Sequence, residues 1–196
     1  MPVKLGARPE HDFDQPLGLL SDCHRRIENF LGVLLNVAET ANGGSLTPPQ
    51  REAIEASLRY FASAAPRHTE DEEHSLFPRM RSSRDPEVCS AIARIDALEA
   101  DHRRADDAHA EVNQLAQKWL DGGSIEPPET LRLIELLRSL QSLYQRHIDV
   151  EDREIFPLAG RVLGADEIAV IGQEMARRRG LEHPTHAVPS SEGRNR

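Results

Sequence analysis

Two cysteines, Cys23 and Cys89, are all that this 196-residue chain contains, and they stand far apart in no paired-cysteine motif. Neither a disulfide framework nor a thiolate zinc site can be built from them, and both thiols read as buried or idle. Long apolar runs are missing too. No stretch approaches the ~20 residues that a membrane span requires, and Met1 to Gln15 lacks the apolar region of a signal peptide. The expected location is therefore the cytoplasm, with no membrane partner. Positive charge is also short: 24 Lys and Arg stand against 33 Asp and Glu, a formal net charge of −9 with a pI near 5.5. A nucleic-acid binder needs a basic surface to displace phosphate counterions, and the one basic run, Arg177-Arg178-Arg179, is too short to supply it. Strand formers are sparse, with aromatics at 4%, and no segment alternates as a half-buried strand would.

What the chain does have is helical periodicity, and its 38% hydrophobic content suits one core of ordinary size. The first helix is expected from about Pro16 to Thr40, ended by Ala41-Asn42-Gly43-Gly44-Ser45. The second runs from about Pro48 to Arg81 and should bend at Pro66, which lacks a backbone donor. Ser83-Arg84-Asp85-Pro86 then forms a turn, with Asp85 as N-cap and Pro86 as first helical residue. The third helix continues to about Asp121, where Gly122-Gly123-Ser124 stops it. The fourth runs from Pro127 to about Val162, with a disturbance at Pro157. The fold class is all-α: an up-down-up-down four-helix bundle with an additional short C-terminal helix, about Asp166 to Arg179, packed on the outside or on a partner. In domain terms this is an N-terminal arm over 1–15, the bundle over 16–163, the extra helix over 164–180 and a disordered tail over 181–196.

The most informative pattern is an internal repeat. His68-Thr69-Glu70-Asp71-Glu72 runs on to Leu76-Phe77-Pro78, and His147-Ile148-Asp149-Val150-Glu151 runs on to Ile155-Phe156-Pro157. Residues four apart on a helix are neighbours on one face, so an imidazole and a carboxylate at this spacing can grip one ion. His24 and His102 complete the repeat, 78 positions apart where His68 and His147 are 79 apart. Each histidine shares an apolar stripe: His24 with Leu20, Ile27 and Leu31; His68 with Phe61 and Ala64; His102 with Ile95, Leu98 and Ala105; His147 with Leu140, Leu143 and Tyr144. A lone histidine so placed reads as a hydrogen-bonded core residue. Four at matched positions, with two carboxylates that would be costly to bury unpaired, read as a metal site. A mixed imidazole and carboxylate set suits iron, zinc or manganese. The expected arrangement has His24 and His68 on one ion, His102 and His147 on the other, and Glu72 and Glu151 across both. Each ion then stays short of six ligands.

The order H, H-x-x-x-E, H, H-x-x-x-E, with Phe-Pro after each pair, resembles the hemerythrin-like, or HHE cation-binding, domain over about Leu17 to Gly160. The resemblance implies a non-haem di-iron centre, oxo- or hydroxo-bridged, with His24, His68, Glu72, His102, His147 and Glu151 as ligands. It also implies a small ligand, O2, H2O2 or NO, and a role in redox or nitrosative stress or in iron handling. Oxygen-carrying hemerythrins have a second histidine one turn after the first on the third helix, where this chain has Asp106. They also space the last histidine and carboxylate differently, so reversible oxygen carriage is not carried over. Asp106 and its counterpart Glu28 stand as terminal ligands, as acceptors orienting the imidazoles, or as ion-pair partners of nearby arginines.

Other groups weigh less. His74 falls off the ligand face, and its repeat counterpart is Arg153. His109 is two turns past His102 and has no repeat partner. Tyr144 either places a phenol near the metals or is a packed core tyrosine. Glu70, Asp71 and Glu73 read as the solvated side of the second helix, with Glu73 close enough to Glu72 to serve in its place. His11, His183 and His186 read as solvent-exposed tail residues. No dedicated proton-transfer residue separates an enzyme from a sensor. A ferritin-like di-iron oxygenase or iron store would need Glu-x-x-His on two helices; Glu99-Ala100-Asp101-His102 fits once, while Ser21, Ala65 and Tyr144 occupy the equivalent positions elsewhere. The remaining alternative is a metal-stabilised interaction or signalling module without redox chemistry, monomeric or homodimeric, with a protein partner.

Overall fold

In the computed structural model, which describes residues 9–182, every regular element is helical, and the all-α expectation holds with no strand among the described residues. The elements are α1 (Pro16–Ala41), α2 (Pro48–Asp71), α3 (Phe77–Ser82), α4 (Pro86–Gly122), α5 (Pro127–Val150), α6 (Phe156–Val162) and α7 (Ala165–Arg178). One π-helical turn, Glu72–Leu76, joins α2 to α3, and a second, Glu151–Ile155, joins α5 to α6.

The local chemistry of the ends explains these boundaries. Pro16, Pro48, Pro86 and Pro127 each open a helix, where a missing N–H costs nothing and the fixed φ is already helical. Asp85 caps α4 by accepting from Glu87 N at 2.8 Å, as expected. Gly123, with φ of 76°, closes α4 in the left-handed region and sends its N–H back to Trp119 O at 2.9 Å. Pro66 does not interrupt α2, which is assigned as α-helix on both sides of it. Departures from α geometry lie just ahead of Pro78 and just ahead of Pro157, the second where a disturbance was expected. Each proline has no N–H for the carbonyl four residues back, and the chain widens there so that Phe77 N donates to Glu72 O and Phe156 N to Glu151 O.

α1 packs on α2 and α5, and α4 packs on α5 and α2. Their apolar stripes form two separate clusters. One holds Leu31, Ile54, Trp119, Leu137 and Leu140; the other holds Leu20, Phe77, Met80, Ile95 and Ile155. Along α1 the first cluster begins at Ile27 and the second ends at Leu20, so His24 stands at the changeover; on α4 the same step from Leu98 to Ala105 brackets His102. A polar layer thus crosses the bundle with dry packing above and below.

α7 lies against α1, α2 and the first π turn, burying Ile171, Gly172, Met175 and Ala176. Its docking surface is the protein's own. The segment before α1 crosses it so closely that a Cβ on Gly172 would stand 1.9 Å from Phe13 O. His11 is not a free tail residue as expected. It is half-buried, with its backbone N donating to Asp22 Oδ2 at 2.8 Å and its ring Nδ1 3.3 Å from Asp22 Oδ1. His183, His186 and the expected tail lie outside the described residues, except for Leu181 and Glu182. Among the described residues no helix is long and apolar enough to cross a membrane.

Candidate metal centre

His24 enters the polar layer from α1, His68 from α2, His102 from α4 and His147 from α5, while Glu72 and Glu151 are the first residues of the two π turns. All six are buried, and both glutamates are wholly so. They fall into two groups, His24, His68, Glu72 and Glu151, and Glu72, His102, His147 and Glu151, each with donor atoms within 4.8 Å of one another. Glu72 turns Oε1 to His68 Nε2 at 3.2 Å and Oε2 to His102 Nε2 at 3.4 Å, so its two oxygens address different groups. Glu151 Oε2 lies 3.1 Å from both His147 Nε2 and His24 Nε2, one histidine from each group. His102 Nε2 and His147 Nε2 are 3.1 Å apart.

The outer faces of two imidazoles are held by carboxylates from the opposite half of the repeat. Asp152 Oδ1 accepts from His24 Nδ1 at 3.0 Å and from Ser21 Oγ at 2.7 Å. Glu73 Oε1 accepts from His102 Nδ1 at 2.8 Å. The first residues of α6 and α3, directly after those π turns, supply aromatic walls: Phe156 stacks on the His24 ring at 5.4 Å and Phe77 lies parallel to the His102 ring at 6.4 Å. Sequence reasoning missed Asp152 altogether and took Glu73 as a surface residue or a substitute for Glu72. The signal was present in the repeat, because an acid follows each glutamate and a Phe-Pro follows each acid.

Burial drives the electrostatics. Glu72 and Glu151 are stripped of water, which disfavours their charge, yet the surrounding imidazoles hold both below the ordinary carboxylate pKa, Glu72 strongly so. Burial likewise works against a charged His24, but Asp152, Glu151 and Glu72 raise it well above the usual histidine value, and the same opposition leaves His102 at about 9. His68 goes the other way, to about 4, because burial and the positive charge on its neighbours dominate. Two carboxylates in a dry layer therefore call for positive charge beside them. All four of their oxygens, together with His24 Nε2, are buried without a hydrogen-bond partner. Leaving such groups uncompensated is costly, and a donor set of imidazole nitrogens and carboxylate oxygens aimed at one another fits a cation.

The remaining candidates stay apart. Glu28, His74 and Asp106 are exposed and join neither group. Tyr144 is a buried core residue whose hydroxyl lies 3.2 Å from His109 Nε2, outside both groups. Glu99, the acid of the single Glu-x-x-His, accepts from Arg81 Nη1 at 2.7 Å rather than entering the layer. Asp71 corrects the expectation of a solvated helix face: it is fully buried and takes Arg178 Nη1 at 2.8 Å and Arg179 Nη2 at 2.7 Å, which ties α7 to the residue before Glu72.

A Haemophilus influenzae protein named only as uncharacterized is 28% identical over 167 residues, spanning 85% of this chain and 91% of its own length. The model of the hemerythrin HHE cation binding domain matches residues 15–159, the stretch that holds all six buried histidines and glutamates of the polar layer. The chain belongs to the hemerythrin HHE cation-binding family.

Proposed function

We propose that this protein holds a non-haem di-iron centre within an up-down-up-down bundle and uses it to bind or react with O2, peroxide or NO in redox or nitrosative stress or in iron handling. His24 and His68 serve one iron, His102 and His147 the other, and Glu72 and Glu151 reach both. The observation that carries the reading is the pair of fully buried, hydrogen-bond-deprived glutamates between four imidazoles. Bound iron supplies redox chemistry and, with four protein donors each, open positions for a small ligand. The chain supplies the rest. Asp152 and Glu73 fix the rings of His24 and His102, Phe77 and Phe156 wall the site, and the two apolar clusters keep it dry.

The test is metal content per chain by mass spectrometry on aerobically purified protein, with visible spectra before and after dithionite, peroxide and NO. About two irons per chain and absorption that bleaches on reduction support the proposal. Zinc alone, or a folded protein that takes no metal, removes it.

A second reading, a metal-stabilised signalling module, draws on the Arg178 and Arg179 grip on Asp71, which links the C-terminal helix to the π turn carrying Glu72. It predicts normal folding and output with redox-silent zinc in place of iron.

A further inference from the structure

Where the N-terminal arm crosses toward α7, a cavity of about 350 Å3 opens that uses none of the six polar-layer residues. Its cations are Arg26 of α1, Arg67 of α2 and Arg179 beyond α7, and the rings of Tyr60 and Phe13 belong to its walls. Three guanidiniums around one hollow stand out on a chain of net charge −9. They are not equivalent. Arg179 is held by Asp71 at 2.7 Å, a carboxylate it shares with Arg178. Arg26 rests over the Tyr60 ring at 5.7 Å, and its Nε is buried without a hydrogen-bond partner. Arg67 is exposed and has no ion pair or hydrogen bond among the described residues. The acid in the lining, Asp12, is exposed and accepts from Asp14 N at 3.0 Å.

The repeat supplies an internal comparison. Arg104 follows Arg26 by 78 positions, the same offset as His102 from His24, and it pairs with Asp101 at 2.9 Å. The residue matching Asp101 in the first half is Cys23, which lines the cavity. A neutral thiol thus stands where the second half has its counter-charge, and Arg26 faces a hollow instead of a carboxylate.

We propose that this cavity binds a small organic anion, its carboxylate or phosphate head held by Arg26 and Arg67 and its apolar body lying against Tyr60 and Phe13. Guanidinium forks match both head groups, and the volume is that of a small-molecule site. Arg26 and Arg67 stand two and one residues from His24 and His68, and residues 11–13 of the arm form part of the wall, so occupancy touches both helices that carry one histidine pair.

The test is calorimetric titration of the full-length, metal-loaded protein with benzoate, phenyl phosphate, inorganic phosphate and the neutral benzamide. Benzoate or phenyl phosphate should bind and raise the melting temperature, the tighter of the two identifying the head group, with inorganic phosphate weaker and benzamide silent. Arg26→Gln with Arg67→Gln should weaken binding at least tenfold with metal content unchanged, and Arg59→Gln, on the exposed surface outside the cavity, should not. Arg67→Gln alone, at an exposed position, gives the same reading if the double variant does not fold. No binding of either aromatic anion, inorganic phosphate as tight as phenyl phosphate, or equal binding by the arginine variants overturns the proposal.

Discussion

Asp152 Oδ1 meets His24 Nδ1 at 3.0 Å while the preceding residue, Glu151, meets the other nitrogen of the same ring at 3.1 Å. Consecutive carboxylates from one π turn thus hold both edges of an imidazole on a different helix. Glu73 and Glu72 treat His102 the same way, at 2.8 and 3.4 Å. Each half of the repeat orients a histidine of the other. A carboxylate on Nδ1 fixes the tautomer that leaves Nε2 free to ligate, and it raises the basicity of that nitrogen.

Asp152→Asn and Glu73→Gln should each weaken metal binding by about 10–100-fold without removing a donor from the polar layer. Chelator competition measures this. Affinities equal to wild type would mean that the rings are positioned by packing alone.

Glu72→Ala and Glu151→Ala should each lower the metal bound per chain, because each glutamate belongs to both donor groups. His74→Ala should leave it unchanged, since that side chain is exposed and belongs to neither. Equal metal content in all three variants would remove the shared-carboxylate assignment.

Asp71→Asn should cost about 2–4 kcal/mol in denaturant unfolding, because it leaves two half-buried guanidiniums without their counter-charge. The loss stays toward the lower end, since the Arg178 and Arg179 side chains are 20% and 18% exposed and Arg178 keeps its bond to Ser75. Wild-type stability in this variant would show that α7 is held by its apolar face alone.

Burial lowers His109 from 6.5 to about 4, so it is neutral in the fold at pH 7. The unfolded chain takes up this proton first as pH falls, so the stabilisation is complete above about 6.5 and is lost as pH drops toward 4. His109→Gln, which can still bond the Tyr144 hydroxyl, should show a shallower loss of stability than wild type within that window. Parallel pH profiles would mean that His109 is hydrated in the fold.

Gly172→Ala places a methyl 1.9 Å from Phe13 O, a backbone atom that no rotamer change can move aside. The arm has to lift from α7, at a cost of about 1–3 kcal/mol. Limited proteolysis should cut near Phe13 in the variant while helical content by circular dichroism is retained; an uncut arm would place the strain elsewhere.

The helices and the six candidate ligands were legible because their signals are local. Helix ends follow from Pro at the first position and Gly after the last, and His68 with Glu72 share a face through spacing alone. Misreadings arose wherever a residue's role depends on a distant element. Asp71 looks solvated on its own helix, and only the return of Arg178 and Arg179 on α7 makes it a buried acceptor. Glu73 falls away from the ligand face of a regular helix, but the widened π turn and the arrival of α4 put it on His102. The disturbance expected at Pro157 is a π turn just ahead of it, and the matching turn ahead of Pro78, at the residue that enters the polar layer from the first half, went unread.

By itself, the sequence determined an all-helical chain, a twofold repeat and a buried layer of four histidines and two glutamates, since periodicity and four-residue spacing are properties of one helix at a time. Which glutamate oxygen faces which imidazole, the exchange of Asp152 and Glu73 between the halves, the docking of α7 and the arginine-lined cavity were decided only by the tertiary structure. These depend on how far each helix is rotated and shifted against its neighbours, and contacts between residues as distant as His24 and Asp152 exist only once the packing of both apolar clusters has set that rotation.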